Sequence, residues 1–81
     1  MIDLDDIEVG TVAPAWDFIG FDHDSYWLRI VGGRARYEAA IYYDDTPGDH
    51  VKLVRLDTST GGIRQIERWV SPDTPLEVVA A

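Results

Sequence analysis

The chain has no cysteine. This excludes disulfides and thiolate metal sites, so apolar packing must hold the fold. It says little about compartment, since disulfides are an option for secreted proteins rather than a requirement. Long hydrophobic runs are also missing. No stretch approaches the roughly 18 apolar residues that a membrane span requires, and Met1-Ile2-Asp3-Leu4-Asp5-Asp6 is acidic where a secretory signal is basic. A cytoplasmic protein is the expectation. Lysine is nearly absent, with Lys52 alone beside six arginines. The most informative scarcity is positional: no Lys or Arg precedes Arg29.

What remains is the composition of one small globular domain spanning residues 1–81, with 46% hydrophobic and 27% charged residues. The net charge of −8 is large for this length. It opposes direct binding to nucleic acid or to an anionic membrane and favours encounter with basic partners. Seven acids (Asp3, Asp5, Asp6, Glu8, Asp17, Asp22, Asp24) stand in residues 1–28, whereas residues 29–70 hold all seven bases and only six acids. The acidity is therefore concentrated toward the N-terminal end.

The pattern predicts an all-β protein, or a mainly β one with one short helix. Ser25–Val31 and Arg34–Tyr43 are rich in β-branched and aromatic residues and flank Gly32-Gly33, a two-residue turn signal calling for positive φ at both glycines. The implied register pairs Val31 with Arg34, Leu28 with Tyr37 and Tyr26 with Ala39. It places Tyr26, Leu28, Ile30, Ala35, Tyr37, Ala39, Ile41 and Tyr43 on one face, and Trp27, Arg29, Val31, Arg34, Arg36, Glu38, Ala40 and Tyr42 on the other. A one-residue slip would destroy that separation. Thr46-Pro47-Gly48-Asp49 reads as a turn and Thr58–Gly62 as a loop. Val51–Leu56 reads as a strand that is central or covered on both sides. Ile63–Val70 is favoured as a strand with a bulge, over a short helix, because Asp57 then faces Arg64. Pro72 and Pro75 suggest that Leu76–Val79 is only a short edge strand. Ala15–Phe21 is expected to add a strand with Trp16 and Phe18 on one face, and Met1–Val9 is either strand or helix. The sum is an antiparallel meander of about five strands, curled into a half-barrel or a small barrel.

Chemistry-bearing patterns are few. Asp22-His23-Asp24 with Asp44, Asp45, Asp49 and His50 is the one set with metal-ligand chemistry, and the hairpin register brings residues 22–24 opposite 41–43. Its spacing is loose, and neighbouring strand residues point to opposite faces, so no metal ligand is assigned. Asp3, Asp5, Asp6 and Glu8 lack the glycine and the distal glutamate of a calcium loop. Ser25, Ser59 and Ser71 sit in no nucleophile elbow, and the Gly-Gly pairs do not open phosphate-binding helices. No catalytic residue and no cofactor are expected.

Two features point toward binding. The N-terminal carboxylates could stand in for phosphates against a basic surface, and Trp27, Arg29 and Tyr42 are of the types that dominate interface hot spots. The first expectation is thus a small acidic module that binds another protein through Asp3, Asp5, Asp6, Glu8, Trp27, Arg29 and Tyr42. It would act as an inhibitor, immunity or anti-defence type protein that blocks a basic, nucleic-acid-binding surface. The alternative is an oligomeric small-barrel accessory subunit or ligand-binding protein, a homodimer included, whose charge serves solubility. A metal-dependent enzyme at the Asp/His loops comes third, because so short a chain has little material to enclose a pocket.

Overall fold

A computed structural model of the protein describes residues 3–43, 50–59 and 61–81. Its strands are β1 (Val12–Pro14), β2 (Tyr26–Ile30), β3 (Arg36–Tyr37), β4 (Ala39–Tyr42), β5 (Val51–Asp57), β6 (Arg64–Val70) and β7 (Pro75–Ala80). They form two antiparallel sheets, one ordered β1-β7-β2-β3 and the other β4-β5-β6. The mainly β, antiparallel class holds. The sheets do not close into a barrel, and the path is not a simple meander, because β7 inserts between β1 and β2.

The hairpin keeps its predicted register, with Leu28 opposite Tyr37 and Arg29 opposite Arg36, but its turn differs. Gly33 N–H donates to the Ile30 carbonyl at 2.8 Å, and only Gly32 has positive φ, at 85°. Positive φ at the third of four residues is the signature of a type II turn over Ile30–Gly33. Residues 34 and 35 then lead into β3 without pairing. The pairing is also shorter than expected. At Glu38 the chain bends away, the Glu38 N–H donates to the Val54 carbonyl at 2.7 Å, and β4 joins β5 in the other sheet. The bend shifts the alternation. Tyr37 is buried, as expected, but so is Ala40, while Ile41 is exposed. The single apolar face predicted for residues 34–43 is therefore split between two sheets.

β5 is central in its sheet, with Val51 and Leu53 fully buried. β6 is a strand without a bulge, in continuous register from Asp57 opposite Arg64 to Val51 opposite Val70. Its apolar alternation is poor because it is an edge strand exposed along most of its length. β7 is not an edge strand. Pro75 occupies its first position, where a missing N–H is tolerated, and the residues after it pair with β2 on one side and β1 on the other. Leu76 and Val78 are fully buried.

The segment expected as a strand over Ala15–Phe21 contains a 3-10 turn at Ala15–Phe18 instead. Its i, i+3 spacing buries Ala15 and Phe18 together and leaves Trp16 outside, at 48% exposure. It is held by Ala15 and Trp16 N–H groups donating to the carbonyls of Thr74 and Pro72 at 2.8 and 3.0 Å. A second 3-10 turn covers Leu4–Asp6. The core between the sheets centres on Phe18, Leu28, Leu53, Leu76, Val51 and Val78, with Phe21 edge-on to Phe18 at 6.1 Å. The turn predicted at Thr46–Asp49 lies outside the described residues. Among the described residues no helix is long and apolar enough to cross a membrane.

Candidate binding surfaces

The N-terminal acids stand mostly in solvent. Asp3 is the N-cap of the first 3-10 turn, its carboxylate accepting the Asp5 N–H at 2.9 Å. Asp5, Asp6 and Glu8 are exposed. The ion pairs among the described residues are Arg29–Glu77, Lys52–Glu67 at 3.3 Å and Arg64–Asp57 at 3.6 Å. Every acid in them comes from residue 57 onward. None of the seven acids of residues 1–28 shares an ion pair with a described base, although all seven bases of the chain are described.

Trp27, Arg29 and Tyr42 do not form one surface. Trp27 and Arg29 lie on the outer side of β2. Arg29 pairs with Glu77 across the strand boundary, and the Arg36 guanidinium lies over the Trp27 ring, 5.0 Å from its centroid. Tyr42 belongs to the other sheet, where it meets Trp16 edge-on at 5.1 Å. Parity in a continuous hairpin would have kept them together. The bend at Glu38 separates them.

The Asp/His loops are also rearranged. Asp22 makes an isolated bridge to Ala39 rather than facing Tyr43. His23 accepts the Ser25 N–H on Nδ1 at 3.2 Å, and its ring lies 4.7 Å from Tyr26 and 6.4 Å from Phe21. His50 lies beside Trp69. Among the described residues no three His, Asp or Glu side chains converge to hold a metal ion; Asp44, Asp45 and Asp49 lie outside them.

What does form is a cleft of about 340 Å3 where β2 parts from the bend at Glu38. Its lining is Asp22, His23, Asp24, Trp27, Glu38, Ala39 and Val54. The hairpin register would have set Trp27 opposite Glu38 and Tyr26 opposite Ala39. Those pairs are absent, and the gap they leave is open to solvent. Glu38 is fixed there by accepting the Leu56 N–H at 3.0 Å.

A second arrangement escaped the sequence reading. Lys52 is buried on the outer face of β5, with Ile41 and Trp69 as its cross-strand neighbours. Its ammonium lies 4.6 Å from the Tyr43 ring centroid and 5.7 Å from that of Trp69, and bonds Glu67 at 3.3 Å and the Tyr43 hydroxyl at 3.5 Å. Burial works against its charge, but the bonds to Glu67 and Tyr43 outweigh it and raise its pKa above the ordinary 10.5. Asp57 is shifted the other way, below 3.8, chiefly by the bonds it accepts from Ser59, with Arg64 and Arg55 adding to them.

No family model matches the chain, and no curated protein or solved structure matches it either.

Proposed function

We propose that the protein is a binding module that acts by contact alone, docking its acidic N-terminal region on a basic surface of another protein. A surface that otherwise holds nucleic acid is the natural target, and occluding it would make the module an inhibitor. One observation carries the reading. Three of the four acids of residues 57–77, Asp57, Glu67 and Glu77, are drawn into ion pairs with the chain's own bases, whereas the seven of residues 1–28 share none with the described bases. Carboxylates unneutralised from within keep their field for a partner and speed encounter with it.

The test is capture of basic proteins from a native lysate on the immobilised chain, with elution by salt and by competing DNA. The reading expects release at moderate salt, displacement by DNA, and weaker capture by a variant reversed at Asp5, Asp6 and Glu8. Asp3 is left intact because it caps the first turn. Capture that survives high salt and charge reversal would overturn it.

A second reading is self-association through the outer face of the β4-β5-β6 sheet. There Ile41, Tyr43, Leu56 and Trp69 are all between 38% and 54% exposed. Sedimentation equilibrium of the protein and of a Leu56→Glu variant decides it. A dimer abolished by the substitution supports the reading, and a monomer at all concentrations ends it.

A further inference from the structure

The cleft beside Trp27 combines chemistry that the rest of the acidic surface lacks. Asp22, Asp24 and Glu38 bring carboxylates to its rim, and none of them is in an ion pair with a described base. Trp27 supplies an aromatic wall, and Ala39 and Val54 supply apolar lining. A simple acidic patch attracts any cation. A tryptophan wall among carboxylates selects flat cations that can stack on the ring while their edge donors reach the acids. Guanidinium has that shape, with five N–H donors in a rigid fork and weak hydration, whereas ammonium is a compact and strongly hydrated point charge. The indole already carries one guanidinium, that of Arg36. Arg36 does not line the cleft, and its Nη1 donates to the Ala80 carbonyl at 3.4 Å.

We infer that this cleft receives the guanidinium of an arginine side chain presented by the partner protein, an inference that rests on the binding-module reading above. Asp22 and Asp24 are the charge-recognising residues, Trp27 is the stacking wall, and Glu38, held by the Leu56 N–H, fixes the inner edge. The arginine would be the anchor of a contact whose approach the N-terminal acids steer.

The experiment is an NMR titration of the isotope-labelled full chain with N-acetyl-arginine amide, and in parallel with N-acetyl-citrulline amide, which keeps the shape and loses the charge. Saturable shifts at residues 22–24, 27, 38, 39 and 54 are expected with the arginine probe, with the citrulline probe at least about tenfold weaker, as expected when charge-assisted bonds are replaced by neutral ones. An Asp22→Asn/Asp24→Asn variant should lose the arginine response while keeping its amide dispersion. Equal binding of the two probes overturns the assignment and needs no variant to fold. So do shifts spread over residues 3–8 as strongly as over the cleft. The two proposals fail separately. If capture stays salt-sensitive but the probes bind alike, the cleft is lost and the module stands. If arginine saturates the cleft but capture ignores salt and charge reversal, the partner's arginine is overturned in favour of a free guanidinium compound.

Discussion

Lys52 shows how far one side chain's role depends on neighbours distant in sequence. Val51–Leu56 reads in the sequence as a strand that is central or covered on both sides, but nothing local to Val51-Lys52-Leu53 names what covers Lys52. Its burial comes from Tyr43, Trp69 and Ile41, brought alongside by the β4-β5-β6 pairing. Because its folded pKa lies above 10.5, its contribution to stability is complete below that pH and is lost as pH rises through the folded value. Melting temperature measured across the alkaline range should fall more steeply for the native protein than for Lys52→Met. Equal slopes would show that the ammonium is not held. Asp57 has the opposite sign. Its lowered pKa gives stability that is present above 3.8 and lost as pH falls through the folded value. An Asp57→Asn variant should therefore have a flatter acid limb in the same experiment. The Asp57–Arg64 pairing was legible in the sequence, but the Ser59 bonds that dominate the shift were not, because they depend on how the loop folds back.

At the level of elements, local chemistry specified register well and extent poorly. Leu28 opposite Tyr37 follows from turn and alternation together. Where β3 ends is decided by β5, whose Val54 carbonyl takes the Glu38 N–H, and nothing in residues 25–43 encodes that. The same limit explains β7: Pro75 argued for an edge strand, and the two-sided pairing comes from Val12–Pro14 and Tyr26–Ile30. It also explains the cleft, none of whose geometry was legible, although Asp22, His23 and Asp24, which line it, stood out in the sequence as chemistry-bearing residues. The hairpin turn gives a test at this scale. Gly32 has φ of 85°, whereas Gly33 is limited by the Ile30 carbonyl, 3.2 Å from where a Cβ would stand. Gly32→Val should cost about 1–2 kcal/mol in chemical denaturation, and Gly32→Asn less, since Asn enters the left-handed region more easily. Equal costs for the two would refute the type II turn. Leu76→Ala should cost about 2–5 kcal/mol, the range for a fully buried leucine, if β7 is the interior strand described.

At the scale of the whole molecule, the charge asymmetry was visible in the sequence, but its state of neutralisation was not. Counting shows that residues 1–28 hold seven acids and no Lys or Arg. Only the fold shows that the ion pairs among the described residues, Arg29–Glu77, Lys52–Glu67 and Arg64–Asp57, include none of those acids. This separates stability from association. Asp5, Asp6 and Glu8 are exposed, so neutralising them as Asp5→Asn, Asp6→Asn and Glu8→Gln should change unfolding free energy by no more than about 0.5 kcal/mol each, and at low salt should raise it by relieving self-repulsion. The same triple variant should associate with a basic partner several-fold more slowly, with dissociation nearly unchanged, because peripheral charges act on encounter more than on the bound state. Stopped-flow association measured at several salt concentrations reads both effects. The native rate should fall steeply with salt and converge on the variant's rate as screening becomes complete. If the rates already coincide at low salt, or if the variant loses stability instead, these carboxylates belong to the fold and the recognition surface lies elsewhere.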